Sequence, residues 1–542
     1  MAHLPRAPRR ALALVLAGAL ALPLAAVSVT IASADVNAPP EFDPVTTDAE
    51  QALEQAQQAL AGGTAGSRQV DATMALRDLA LALPALDRAD RRTARTLLAR
   101  PNGGRQAADS GAIWQGPEAQ ASRDGEGCSA TVPLCVHWTE SGDDAPYPGD
   151  RDVDGVPNQV ERTLKVMEAV WAAEIDDMGF REPLTDQRAS IDDDGVNFDV
   201  YLSDIGDLGL YGYCAIDDSR ALRSSSYRYY DFASYCVLDE DYARGEFGNR
   251  NSPLENLKVT AAHEFFHAIQ FAYDATEDLW LAEGSAAWIE DEVYDRVNDN
   301  RQYLAASQFA RPWLSLDGSK GASRYGSWGF WRYLTERFGP GLMWSVWRRV
   351  DASPTGPDDY SLTALQHVLR KRGADLTTVL GDFGLAIAEP AEFLDEGATY
   401  PTALAYSVRL ARSGDTTGWR RFTLDHLSYA PVRILPGDRL RSDARLSITV
   451  DLPHRRTSPV ARLLVVRDDG STSGIRRIAL NRNGDGSVRV DFSPAEVERV
   501  VLTVGNASDA FSKCYSGLTQ FSCYGGIPRD QNLQASVKAV VR

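Results

Sequence analysis

Two histidines and a glutamate stand together at His263-Glu264-Phe265-Phe266-His267. On a helix, residues four apart share one face, so His263 and His267 can point at a single metal ion. Glu264 lies beside them, placed to take a proton from a metal-bound water. That is the minimal equipment of a zinc hydrolase. The chain has only seven histidines, so a chance match to this pattern is rare.

The surrounding residues predict the helix such a site needs. Ser252-Pro253-Leu254-Glu255 reads as a capping box with proline at the first helical position. Leu254, Leu257, Ala261, Phe265 and Ile269 then recur at helical spacing, which predicts a helix from Pro253 to about Tyr273. A break at Asp274-Ala275-Thr276 separates it from a second helix carrying Trp280-Leu281-Ala282-Glu283-Gly284-Ser285-Ala286. Glu283 supplies a third protein ligand. Three ligands leave the fourth zinc position open to water, as catalysis requires. Glu290 lies two turns further on and competes for the role. Its acidic run, Glu290-Asp291-Glu292, reads as a solvated face or as a partner orienting a ligand histidine. Gly284 is expected to let the two ligand helices approach closely.

His-Glu-Phe-Phe-His followed by Trp-Leu-Ala-Glu-Gly-Ser-Ala resembles the zinc signature of the gluzincin metallopeptidases. That superfamily includes the thermolysin-like proteases and the aminopeptidase N group. The resemblance implies that Glu283 is the third zinc ligand, although its spacing from His267 is shorter than in either group. It also implies an edge strand near Tyr235-Cys236-Val237-Leu238 that pairs with extended substrate, an ordinary inner strand being the alternative, and a tyrosine donor to the oxyanion from a downstream helix. Tyr325, opening the run Tyr325-Gly326-Ser327-Trp328 and ending near Phe338-Gly339-Pro340, is the positional match. More of the chain, roughly residues 125 to 345, is similar to a set of secreted bacterial metalloproteases. The shared words are Val136-His137-Trp138, Asp154-Gly155-Val156-Pro157 and Phe198-Asp199-Val200-Tyr201-Leu202. There is no Gly-Ala-Met-Glu-Asn word of the aminopeptidase N kind.

A second metal word lies upstream. Asp150, Asp152, Asp154, Asn158 and Glu161 stand at positions 1, 3, 5, 9 and 12 of a calcium-loop pattern, with Gly155 at position 6. No clear entering helix precedes it. It reads as a lone Ca²⁺ loop leading into a helix from Val160, or as an acidic turn capping that helix. Asp192-Asp193-Asp194-Gly195 reads as a turn.

The chain as a whole predicts an exported protein. Arg6, Arg9 and Arg10 precede an apolar run, and Ala32-Ser33-Ala34 is a cleavage word, so residues 1–34 read as a signal peptide rather than an uncleaved anchor. A net charge of −19 argues against nucleic acid and anionic membranes as partners. Six cysteines fall in three local pairs, Cys128/Cys135, Cys214/Cys236 and Cys514/Cys523, and sequential disulfides are the simplest pairing. At 542 residues, two or three domains are expected.

Residues 35–118 lack cysteine and lean helical, with a break at Pro84. They suit a cleaved propeptide and a permanent helical extension equally. Residues 119–395 form the candidate catalytic domain, and residues 396–542 alternate like the strands of a β-sandwich. The expected fold class is thus α+β. The expected function is a secreted zinc metallopeptidase acting on protein or peptide substrate. A zinc hydrolase of other bonds and an inactive binding or adhesion protein on the same scaffold are the alternatives.

Overall fold

The computed structural model describes residues 46–61, 72–101, 124–147, 149–184, 197–218 and 229–542. The signal segment and the Asp192–Gly195 turn lie outside these residues. The fold is α+β, with helices and mixed sheets.

Three helices come first: α1 (Thr46–Leu60), α2 (Ala72–Ala82) and α3 (Arg88–Leu97). Pro84 breaks the run as expected, because it lacks an N–H and falls in a tight turn at Leu83–Ala85. Asp87 restarts it by accepting from the amides of Ala89 and Asp90 at 2.7 and 2.8 Å. The apolar residues Met74, Leu76, Leu79, Leu83 and Leu86 are all buried.

A five-stranded sheet follows, built from β1 (Asp124–Cys128), β2 (Leu134–Thr139), β3 (Phe198–Ser203), β4 (Gly212–Ile216) and β5 (Ser234–Asp239). Its order is β1-β2-β3-β5-β4. β2, β3 and β5 run parallel, and both outer strands are antiparallel. Every residue of β3 and β5 is buried, which suits their near-continuous apolar runs. One expectation is corrected here. Tyr235–Leu238 lies inside the sheet, between β3 and β4, and the terminal strand is β4. Both strands are buried, β4 in all but Gly212, so apolar content alone does not tell the inner strand from the outer one. The disulfide Cys214–Cys236 joins the two strands in register, and Cys128–Cys135 and Cys514–Cys523 complete the sequential set.

Between β2 and β3 runs α4 (Asn158–Trp171), which ends in a π-helical turn at Ala172–Asp177. After β5 comes the histidine helix, Pro253–Tyr273, started by the full Ser252/Glu255 capping box. The glutamate helix, Leu279–Tyr294, packs along it. The predicted helix at Tyr325 divides in two: a short turn Ser323–Gly326, then Trp328–Phe338. Gly339 ends the latter at φ 88°, a left-handed value that favours glycine.

The last part holds two sheets. One has the order β11-β10-β13-β8-β6 and the other β12-β9-β16-β7. Their strands are β6 (Tyr406–Leu410), β7 (Arg420–Leu424), β8 (Ser428–Pro436), β9 (Arg445–Asp451), β10 (Pro459–Arg467), β11 (Arg476–Arg477), β12 (Asp485–Asp491), β13 (Val497–Asn506) and β16 (Leu533–Val541). A small ribbon, β14 (Phe511–Ser512) with β15 (Ile527–Pro528), stands apart. Inward residues of both sheets, such as Val432, Leu502, Ile448 and Val537, share one apolar core.

This part is not an appendage. Cys523 and Tyr524 donate their amides to Asp278, both at 2.9 Å, and the Tyr524 hydroxyl donates to Asp274 at 3.0 Å. Asp274 ends the histidine helix and Asp278 precedes the glutamate helix. The Cys514–Cys523 loop therefore grips the turn that sets the two ligand helices against each other.

Candidate metal centre

The helix spacing does what the sequence predicts. One side-chain donor each from His263, His267 and Glu283 lies within 4.8 Å of the others, and all three residues are buried. Glu283 Oε2 stands 3.6 Å from Nε2 of His263 and 3.6 Å from Nε2 of His267. Ligands at zinc distances on a tetrahedron are separated by about 3.3–3.4 Å, so the spacing suits that ion with little adjustment.

The outer nitrogens are fixed by neighbours. His263 Nδ1 is 2.7 Å from Glu290 Oε1, and His267 Nδ1 is 2.8 Å from Gln270 Oε1. Each pairing turns the Nε2 face toward Glu283, as ligand imidazoles require. Gln270 is itself held, donating to the Ala282 carbonyl at 2.9 Å. Among the described residues, the buried Nε2 of His267 has no hydrogen-bond partner. An orphaned imidazole nitrogen aimed at a carboxylate marks a place for a cation. The electrostatics agree. Burial opposes protonation of His263, but Glu283 and Glu290 outweigh it and hold its pKa well above the usual range. Burial pushes Glu290 up to about 7, against the pull of His263.

Glu264, next to His263 on the same helix, is buried beside this group. Its Oε2 accepts a 2.9 Å hydrogen bond from Thr73 Oγ1, on α2. The same hydroxyl accepts from the Cys214 amide on the terminal strand β4 at 3.0 Å. β4 runs close to the histidine helix here: a Cβ at Gly212 would lie 2.9 Å from Glu264 Cγ. Thr73 is thus wedged between the glutamate and the strand, and it is 2% exposed. The segment is anchored further on. Buried Arg100 pairs with Asp217 at 2.5 Å and with Asp199, and Tyr235 donates its hydroxyl to the Ala99 carbonyl at 2.9 Å.

Tyr325 is brought to the site. Its ring centroid lies 6.1 Å from that of His263, and it stacks on Tyr303 at 4.7 Å. Gly284 does not do what the sequence reading expected. A Cβ there would meet Ser327 Oγ and, at 2.9 Å, Trp331 Nε1. The glycine serves the approach of Trp328–Phe338, not of the histidine helix. One residue turns about 100° on a helix, so with Glu283 facing the histidines its neighbour must face elsewhere.

The Asp150 loop is partly assembled. Donors of Asp150, Asp152 and Asp154 lie within 4.8 Å of one another. Asp150 accepts from the amides of Val153 and Gly155, at 2.7 and 3.0 Å. Asn158 turns its amide to the Gly149 carbonyl, and Glu161 lies in the first turn of α4.

Sequence reasoning missed Thr73, Gln270 and Glu174. Gln270 follows His267 by one helical turn, a signal that could have been read. Glu174, in the π-helical turn, is fully buried with neither carboxylate oxygen hydrogen-bonded to a described residue. Burial pushes its pKa well above the usual range. No local pattern announces either Glu174 or Thr73.

No family model and no curated protein matches the chain. Among solved structures, one similar chain is that of BtGH115A, a family GH115 4-O-methyl-alpha-glucuronidase with specificity for decorated arabinogalactans, at 8% identity. The match covers 53% of this chain and 38% of that one with a TM-score of 0.13, too slight to support a statement about fold or activity.

Proposed function

We propose that the chain is a secreted zinc metallopeptidase, with a gluzincin-type catalytic domain and a C-terminal β-sandwich, in a latent form. The observation that carries this is the convergence of His263 Nε2, His267 Nε2 and Glu283 Oε2, with Glu264 beside them. Zinc bound there would acidify a water and polarise a scissile carbonyl. Glu264 takes up the water proton and returns it to the leaving amine. Glu290 and Gln270 hold the imidazoles in the tautomer that offers Nε2. Tyr325, whose ring centroid lies 6.1 Å from that of His263, would donate its phenol to the developing oxyanion. With α2 displaced, β4 would offer backbone groups to an extended peptide by strand addition. Export agrees with the three disulfides, and no described helix is long and apolar enough to cross a membrane.

Residues 35–118 act in this reading as a propeptide. α2 lies against β4, and Thr73 satisfies both the Cys214 amide and Glu264, so substrate and water are kept from both. The test is metal analysis of the purified protein with peptide hydrolysis before and after chelation, and of Glu264→Gln. Stoichiometric zinc and chelator-sensitive cleavage are expected, with activity about 10²- to 10⁴-fold lower in the Glu264→Gln variant. Absence of zinc, or full activity in the variant, would refute the reading.

A further inference from the structure

Away from the histidines, five acidic residues gather. Asp204 follows β3, Asp207 lies in the turn Gly206–Leu208, Asp239 ends β5 and Glu240 follows it, and Glu246 belongs to the helical turn Arg244–Phe247. They form two triads that share Asp204. In Asp204–Asp207–Glu246 and in Asp204–Asp239–Glu240, one carboxylate oxygen per residue lies within 4.8 Å of the others. Among the described residues, no lysine or arginine forms an ion pair with any of the five.

The cluster is built, not merely crowded. Asp239 is held by the amides of Gly206 at 2.7 Å and Tyr242 at 2.6 Å. A Cβ on Gly206 would overlap the Glu246 carboxylate and come 3.0 Å from Asp239 Oδ1, so glycine is needed for these acids to close around it. Glu240 is 8% exposed, and its buried Oε2 has no hydrogen-bond partner among the described residues. Asp204 Oδ1 is likewise buried and unpartnered. A carboxylate oxygen buried this way is costly unless a cation or a proton meets it. Burial first, then neighbouring carboxylates, pushes Glu240 up to about 9 and Glu246 to about 7.

We propose that Asp204, Asp207, Asp239, Glu240 and Glu246 form a calcium site. Ca²⁺ takes six to eight oxygens in a flexible geometry, and five carboxylates from three segments can supply them. The set has no nitrogen or sulfur donor to favour zinc. Mg²⁺ gives up its water reluctantly and suits all-protein carboxylate cages less well. The ion would fasten the loop after β5 to the turn after β3. That loop carries buried Tyr242 at φ 54°, and the Tyr242 hydroxyl donates to the Tyr211 carbonyl at 3.0 Å, at the mouth of β4. The site would thus steady the start of the terminal strand.

The experiment uses the full exported chain, freed of calcium with EGTA and titrated with CaCl₂ while melting temperature and binding heat are followed. Binding to the folded state alone raises stability by mass action. The wild type and an Asp150→Asn/Asp154→Asn variant should both gain about 2–4 °C at saturating calcium. Glu240→Gln/Glu246→Gln should lose that gain, and in calcium-free buffer should be no less stable than the wild type, because an amide replaces carboxyls whose charged form burial already disfavours. Asp207→Asn, at an exposed position, should fold normally and need about tenfold more calcium for the same shift. No shift in the wild type overturns the proposal. So does a wild-type shift in the Glu240/Glu246 variant, or its disappearance in the Asp150/Asp154 variant alone.

Discussion

Thr73 Oγ1 donates a 2.9 Å hydrogen bond to Glu264 Oε2 across 191 positions of sequence. A helix near one end of the chain thereby occupies one oxygen of the proposed proton acceptor in a site built near its middle. The contact orders every expectation about activity.

Cutting the chain between α3 and β1 and separating the pieces should raise peptide hydrolysis at least about tenfold, since the occupant is tethered and must otherwise be displaced. The assay compares intact, cut and separated preparations on one fluorogenic peptide library. Equal activity in all three would make the helices a permanent part of the enzyme.

Glu283→Ala should abolish stoichiometric zinc, because Glu283 is the carboxylate that faces both Nε2 atoms. Glu290→Ala should keep the metal but weaken it roughly 10- to 100-fold, because Glu290 touches His263 through Nδ1. Zinc content after dialysis against graded chelator separates them. Retained zinc in the Glu283 variant and none in the Glu290 variant would exchange the roles.

Stability should fall as pH rises from about 4 to 7. Burial pushes Asp274 and Asp278 each up to about 7, against an ordinary value near 4. The folded chain holds these protons where the unfolded chain has released them. The stability they lend is whole below the unfolded pKa and is lost as pH rises through the folded one. Melting temperatures from pH 5 to 8 should show this slope, and Asp274→Asn/Asp278→Asn should flatten it. An unchanged slope in the double variant would assign the effect to other groups.

Gly284→Ala should destabilise the fold by about 1–3 kcal/mol, the usual cost of overfilling a packed interior. The new Cβ would strike Ser327 Oγ, which is held by the carbonyls of Trp280 and Arg324 at 2.8 and 2.7 Å and cannot swing away. The strain passes to Glu283, so zinc affinity should fall as well. A variant that melts and binds like the wild type would show that the helix Trp328–Phe338 gives way freely.

The donors were legible because they obey a local rule. His263 and His267 are one helical turn apart, and Ser252, Pro253 and Glu255 announce the helix that carries them. The disulfides were legible because each pair is close in sequence. What could not be read depends on packing between distant segments. Nothing near Thr73 indicates that it meets Glu264. The alternation of β4 and β5 does not say which is outermost, and only the paired sheet places Tyr235–Leu238 inside. Gly284 is a spacer, as its size suggests, but the neighbour it admits is set by the helix Trp328–Phe338. The acidic gathering at Asp204 draws on three segments, none of which forms a metal word by itself.

The Cys214–Cys236 bond joins the terminal strand to the one beside it, and Cys214 Sγ lies 2.9 Å from the Glu264 carbonyl oxygen. Reduced, that strand would keep its ladder with β5 and its contacts with α2 and the histidine helix, but lose its covalent tie beside Glu264. Thiols stay reduced inside most cells and pair outside them. If the protein is exported as proposed, a copy still in the reducing interior lacks the tie that a copy outside acquires, and the bond beside Glu264 marks which compartment the chain has reached.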